Sequence, residues 1–338
     1  MDKPFTSYTI EERSYIAYLK REIHKEVLTC NFTEQRAGEI DIIVSEICSN
    51  LVKYAASGEI LYRIQNEEGN KSNFEIIALD KGPGIQDIAR VMRDGVSTGS
   101  SLGHGLGAIE RLSNVFNIYS IPDWGTIVYS KVTTREGGFV RKENFDLDIR
   151  GLVVAKPREV QCGDQYRVKR TKNDVRVFLG DGLGHGKYAE EAVTRAGDFF
   201  FETDDANPVD ILRQMHEKVR RTRGLVATVG VLDRKRNEWK ICGVGNIVTR
   251  LYQGITYKNY MAYNGTIGLN IPTSINHSTL PAERNQYLVM CSDGIRSRWD
   301  LAKFPSLLKY DNMVMAAAVY KDYTRGTDDS SILISKVS

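Results

Sequence analysis

The sequence predicts an α+β protein of two domains, and three observations carry that expectation. Its 338 residues are more than one domain of ordinary size uses. Each half of the chain mixes helical stretches with strand-like ones. Between the halves, residues 135–150 (REGGFVRKENFDLDIR) are charged and carry a Gly-Gly pair. The expected domains are therefore 1–134 and 151–338, joined by a 135–150 linker.

Composition narrows the class. The chain is 41% hydrophobic and 26% charged, as soluble globular chains are. A formal net charge of +3 gives no reason to expect nucleic acid or an anionic membrane as partner. MDKPFTSYTIEERS lacks the apolar run of a signal peptide, and MVMAAAVY is far too short to span a bilayer. The five cysteines form no CxxC pair, which fits a reducing cytoplasm. A cytoplasmic protein is expected.

In the first half, RSYIAYLKREIHKEVL (13–28) reads as a helix and a second helix covers about 34–56. ILYRIQN and NFEIIALD follow as strands, then the helix LGAIERLSNVF and a strand at GTIVYSKV. On the second helix Ile43, Ile47 and Leu51 recur every four residues, with Val44 and Cys48 beside them, which makes one buried face. Glu46 and Asn50 share a neighbouring face and can meet one ligand. Alone, such a pair is ordinary helix surface. Downstream, however, a strand ends in Asp80, where a carboxylate can accept from an exocyclic amine. Gly82 and Gly84 follow it and let the backbone pass close to a flat ligand. Gly103, Gly105 and Gly107 then stand just before a helix, where free N–H groups and the helix dipole favour phosphate. The dinucleotide fingerprint is absent, because no acidic residue ends a second strand of a βαβ unit.

The ordered set ExxxN, DxGxG, GxGLG and a final GT resembles the GHKL (Bergerat) ATP-binding fold over about 30–134. Within it, the set is most similar to the small anti-sigma-factor serine kinases and the stressosome switch kinase. The resemblance implies an α/β sandwich that binds ATP with Mg2+. It implies that Asn50 holds Mg2+, Asp80 binds the adenine amine and Gly82 and Gly84 flank the adenine. Gly103, Gly105 and Gly107 would embrace the phosphates, and Thr126 would support the Asp80 end. Glu46 would take the proton of an incoming Ser or Thr hydroxyl. His104 reads as a tolerated, solvent-facing loop residue.

In the second half, GLVVAKP, DQYRVKR and DVRVFLGD read as strands, and helices follow at about 187–202 and 207–222. LVATVGVLD, EWKICGVG, IVTRLYQG, QYLVMCSDG and SSILISKV are further strands, with RKRN (234–237) as a hairpin turn. GDGLGHGK invites a P-loop reading and fails it. Asp181 stands where that motif needs glycine, and Tyr188 where it needs Ser or Thr. Instead, Asp164, Asp181, Asp293 and the Asp328–Asp329 pair each abut an apolar strand. One acid beside glycine at a strand end is an ordinary turn. Four sets of them, brought together by strand pairing, repel one another unless hard divalent cations sit between them.

CGD, GDGLGHG, CGVGN, CSDG and TDDSS, in order from 162 to 331, resemble a PPM-type Ser/Thr phosphatase of the SpoIIE kind. They are especially similar to the stressosome feedback phosphatase. The resemblance implies a β-sandwich flanked by helices that holds two Mn2+ or Mg2+ ions. Asp164, Asp181, Asp293 and Asp328 would be ligands, and Gly182 would offer its carbonyl. Activated water would attack phosphorus in line, so no protein nucleophile is needed. Two departures leave questions open. Asp329 stands where the family often has Asn, so either Asp328 or Asp329 is the ligand. His185 follows GLG rather than the metal-binding Gly182, so it is expected to fix the loop rather than serve as general acid.

Three readings of the whole chain follow. The first is a bifunctional partner-switching enzyme that phosphorylates and dephosphorylates Ser/Thr on a STAS-domain protein. The second is a phosphatase gated by a nucleotide-sensing GHKL domain that transfers nothing. The third is a non-catalytic module that binds a sigma factor, sensor or STAS protein, against which the intact acids argue. The resemblance also admits a homodimer through the GHKL half.

Overall fold

The computed structural model describes residues 3–10, 13–55, 58–67, 71–92, 105–134 and 147–338. The chain divides into two compact units whose main segments are Phe5–Arg141 and Lys142–Ser338.

The first unit contains β1 (Thr6–Ile10), α1 (Arg13–Leu28), α2 (Glu34–Tyr54), β2 (Gly58–Glu67) and β3 (Lys71–Asp80). A short α3 (Ile88–Val91), α4 (Gly105–Leu112), β4 (Val115–Ile121) and β5 (Gly125–Thr133) complete it. Its antiparallel sheet has the order β1-β2-β3-β5-β4. Thr33 starts α2 by accepting the Arg36 N–H on its side chain. The expected face of α2 is buried, with Ile43, Val44, Ile47, Cys48 and Leu51 facing Ile60, Ile76 and Ala78 of the sheet. Each such aliphatic side chain contributes about 1.5–3 kcal/mol when fully buried. Helices on one sheet face make an α/β sandwich.

The helix expected over 106–116 stops at Leu112. Ser113 turns its hydroxyl back onto the Ile109 carbonyl (2.6 Å), and Asn114 accepts the Thr133 N–H (2.8 Å). Val115 and Phe116 then pair with β5 instead of continuing the helix. β1 was not expected at all.

The second unit contains β6 (Leu147–Val154), β7 (Asp164–Arg170), β8 (Asp174–Gly182), α5 (Lys187–Glu202), α6 (Pro208–Lys218), β9 (Leu225–Asp233) and β10 (Glu238–Val244). It continues with β11 (Val248–Gln253), β12 (Thr256–Tyr260), β13 (Ser278–Pro281), β14 (Gln286–Cys291), α7 (Asn312–Tyr323) and β15 (Ser330–Val337). Two antiparallel sheets form, β13-β10-β9-β8-β7 and β12-β11-β14-β15-β6. They pack face to face through Val175, Val177 and Leu179 on one side and Leu288, Met290 and Leu333 on the other. Alternation along β8 turns Phe178 the opposite way, toward Val193, Phe200 and Met215 of α5 and α6. α7 lies on β6 and β15. The result is a β-sandwich flanked by helices.

Three sequence expectations are corrected here. Residues 147–150 belong to β6, not to a linker, because they pair with the end of β15 and bury Leu147. α6 ends at Lys218, where Val219 leaves helical geometry and Gly224 turns the chain at φ +82°. α7, β12 and β13 were not expected. Among the described residues no helix is long and apolar enough to cross a membrane.

Candidate functional site

Each unit gathers sequence-predicted residues at one place. In the first, the buried face of α2 holds Glu46 and Asn50 in position. α4 begins against them: a Cβ on Gly105 would meet Glu46 Oε2 at 2.6 Å and Asn50 Nδ2 at 3.9 Å. The missing side chain at Gly105 leaves room for the Glu46 carboxylate at the start of α4. Gly107 is buried inside α4. Gly103 and His104 lie outside the described residues.

Asp80 closes β3. Its Oδ1 accepts the Gly82 N–H at 2.8 Å and the Thr126 N–H at 3.1 Å. Thr126 thus supports Asp80 through its backbone, while its hydroxyl meets Ser120 at 2.9 Å. Gly82 and Gly84 make their close approaches to the protein's own backbone. A Cβ on Gly82 would stand 2.6 Å from the Tyr54 carbonyl, and Gly84 (φ +72°) lies against that of Ile121.

In the second unit four strand ends meet at one end of the sandwich. Asp164 and Asp181 are direct cross-strand partners of β7 and β8. Asp293 follows β14, and Asp328 and Asp329 precede its neighbour β15. Each sheet thus contributes acids. Like charges directly opposite each other in a ladder repel. Asp181 is pushed well above the usual carboxylate range, first by burial and then by the charges of Asp164, Asp293, Asp328 and Asp329. Burial raises Asp164 too, against the pull of a Ser292 hydrogen bond and with the push of Asp329.

Protein donors hold several of these acids. Ser292 donates to Asp164 Oδ2 at 2.6 Å, Asn246 donates to Asp293 Oδ2 at 3.0 Å, and Asp328 Oδ1 accepts the Asp329 N–H at 3.0 Å. With the side chains turned to these donors, no three acidic, histidine or cysteine groups among the described residues form a ready metal cage. Asp164 Oδ1, by contrast, is buried with no hydrogen-bond partner. An orphaned carboxylate oxygen amid mutually repelling acids fits a hard divalent cation.

Asp329 has another task. Its two oxygens accept the N–H groups of Lys156 (2.8 Å) and Gly163 (2.9 Å). That pins the segment leading into Asp164, although Asp329 still adds its charge to those around Asp164 and Asp181. His185 Nδ1 lies 3.0 Å from Glu159, which ties the GLGHG loop to the same segment. Sequence reading missed Ser292, Asn246 and the clamp role of Asp329. The first two stand inside CSDG and CGVGN, whose positions were noticed but given no task.

The Histidine kinase-like ATPase domain family matches residues 14–130. Serine/threonine-protein kinase RsbT of Bacillus subtilis is 38% identical over 108 residues, 32% of this chain and 78% of that protein. The chain belongs to the histidine kinase-like ATPase family. Joined to that kinase-like domain is a phosphatase domain, for the Stage II sporulation protein E (SpoIIE) family matches residues 171–337. Phosphoserine phosphatase RsbX of Bacillus subtilis is 23% identical over 86 residues, 25% of this chain but only 43% of that protein. A solved structure of RsbX with magnesium shares the fold at TM-score 0.52 and 18% identity, covering 58% of this chain and 98% of its own. A structure from work on the bacterial stressosome reaches TM-score 0.53 at 26% identity, covering 56% of this chain and 100% of its own. The mixed α/β kinase-like domain and the β-sandwich of the phosphatase domain agree with these families.

Proposed function

We propose that this chain is a bifunctional partner-switching regulator. Its kinase-like domain phosphorylates Ser or Thr on a STAS-domain protein, and its phosphatase domain removes that phosphate. The observation that supports the reading is that each unit brings chemically distinct groups together. Glu46 and Asn50 meet at the start of α4, and four acidic strand ends meet in the sandwich.

In the first unit Asp80 accepts from the adenine amine while Gly82 and Thr126 fix its carboxylate. Asn50 would hold Mg2+ through its side-chain oxygen. The N–H groups at Gly105 and Gly107, with Gly103, receive phosphate oxygens. Bound Mg-ATP supplies the γ-phosphoryl group. Glu46 takes the hydroxyl proton of the acceptor as its oxygen bonds to phosphorus and ADP leaves.

In the second unit Asp164, Asp181, Asp293, Asp328 and the Gly182 carbonyl would hold two Mn2+ or Mg2+ ions. Such cations supply a water acidic enough to lose a proton near neutral pH. Ser292 and Asn246 orient Asp164 and Asp293, and Asp329 sets the loop carrying Asp164. Water and phosphoserine give serine and inorganic phosphate. Cytoplasmic location and pairing through the kinase-like half belong to the same proposal.

The test incubates a STAS-domain protein with Mg-ATP and either the wild-type chain or Asp181→Ala, following its intact mass. Phosphate that accumulates with the variant and is cleared by the wild type is the expected result. No added phosphate with either form sinks the kinase half. Glu46→Ala then separates transfer from sensing, since a sensor would not need that carboxylate.

A further inference from the structure

The GLGHG loop carries more than metal-site geometry. Leu183 inside it is 37% exposed, Tyr188 just after it 62%, and Leu269 of the β12–β13 connection 58%. Arg223 stands between two of them, against the Tyr188 ring and the Leu183 backbone. The guanidinium lies over the Tyr188 ring, 5.5 Å from its centroid. Its Nη1 approaches the Leu183 carbonyl at 3.5 Å, a distance at the outer limit of hydrogen bonding. A Cβ on Gly184 (φ +82°) would stand only 2.9 Å from the same nitrogen. Leu269 joins the patch through Gly224, where a Cβ would meet Leu269 Cγ at 3.2 Å, and the Leu183 N–H donates to the Gly224 carbonyl at 3.0 Å. The four exposed side chains thus stand on segments that meet where Leu183 bonds to Gly224, two residues from Asp181.

Two features of this surface ask for a partner. Large apolar side chains with an aromatic-braced arginine are the make-up of an interface centre rather than of ordinary surface. The second is positive charge without a partner. Arg221 and Arg223 are exposed, and neither pairs with a carboxylate among the described residues. A guanidinium held by a ring and a loop backbone keeps most of its donors for a planar anion.

We propose that Leu183, Tyr188, Arg223 and Leu269 form the docking platform for a protein substrate of the phosphatase domain. The occupant is the polypeptide flanking the phosphorylated residue, with an acidic side chain that meets Arg223 and an apolar one that covers Leu183 and Leu269. This rests on the phosphatase reading. The platform governs which phosphoproteins are accepted, while the acids at the strand ends govern hydrolysis itself.

The experiment uses the full chain with Mn2+ and three probes. They are para-nitrophenyl phosphate, a phosphoserine peptide with acidic flanks and the same peptide with neutral flanks. Arg223→Glu raises KM for the acidic peptide about tenfold, as a lost charge-assisted contact does, with kcat nearly kept. It leaves the aryl phosphate unchanged, and its effect shrinks at high salt. Leu269→Ser raises KM for both peptides by a smaller factor and spares the aryl phosphate. Equal treatment of all three probes by both variants overturns the platform. A wild-type chain that hydrolyses none of them overturns the phosphatase reading instead. In that case calorimetry of the two peptides on Asp181→Asn still decides: tighter binding of the acidic peptide, lost in Arg223→Glu, supports the platform, and equal binding overturns it.

Discussion

Glu75 lies within β3 and Asp181 near the end of β8, and their surroundings drive the two acids in opposite directions. Burial alone would raise Glu75. Arg63, Lys131 and hydrogen bonds from Tyr129 and Arg63 outweigh it and hold the carboxyl at about 2. Arg63 Nε and the Tyr129 hydroxyl each donate to it at 2.6 Å. Around Asp181 burial acts in the same sense, but the nearest charges are other carboxylates, so the effects add. The first acid is complete within the protein and serves the fold. The second is left in need of positive charge. A carboxylate whose partners are cations and donors is structural, and one whose partners are more carboxylates is set to receive a cation.

The largest expected effect comes from the acid that lacks a partner. Asp181→Ala should lower phosphatase turnover about a thousandfold, since a catalytic metal supplies several kcal/mol and each 1.36 kcal/mol is a factor of ten. Hydrolysis of para-nitrophenyl phosphate in Mn2+ measures it, and near wild-type turnover would break the comparison.

Arg63→Met tests the other acid. It leaves Glu75 buried without its cation and should cost about 3–5 kcal/mol in denaturant unfolding, whereas the double change Arg63→Met with Glu75→Leu should be close to neutral. A small loss in the single variant would show that Tyr129 suffices.

The pH dependence sharpens the same point. Glu75 in the fold titrates at about 2, against an ordinary 4.5. A lowered carboxyl stabilises the fold above its unfolded value and loses that contribution as pH falls toward its folded one. About 3 kcal/mol should therefore disappear between pH 5 and pH 2. Glu75→Gln should flatten that part of the stability curve, and an unaltered curve would count against the ion pair.

The smallest effect concerns orientation. Ser292→Ala removes the donor to Asp164 and should weaken Mn2+ affinity by about 10–100-fold, the usual range for a group that holds a ligand. Calorimetric titration with Mn2+ reads this directly, and unchanged affinity would mean Ser292 only joins β14 to β15.

Much of the architecture was legible because it rests on local pattern. The four-residue spacing along α2 marks its buried face, and the alternation in β8 splits its side chains between two layers. Apolar strands ending in acids pointed to the sandwich end where those acids meet. β1, β12 and β13 were missed because short edge strands draw their stability from a partner that sequence periodicity does not display. α7 was missed because it is buried all round, so MVMAAAVY shows no polar stripe. The overlong reading of α4 failed at Ser113 and Asn114: the Ser113 hydroxyl caps the Ile109 carbonyl, and the Asn114 side chain bonds to the distant backbone of Thr133.

By itself the sequence determined which residue types stand at which strand ends and helix faces, since these follow from side-chain period and turn chemistry. It did not decide between Asp328 and Asp329, for both are aspartates beside one strand. The fold gives Asp329 partners of its own: it accepts two backbone N–H groups that only the folded approach of the 156–163 segment provides. Arg223 likewise has no task that the sequence assigns. Its place over Tyr188 and the GLGHG loop exists because β8 and β9 pair side by side and bring Leu183 against Gly224. Hydrogen-bond geometry and cross-strand proximity are properties of the folded chain, so only the tertiary structure decided them.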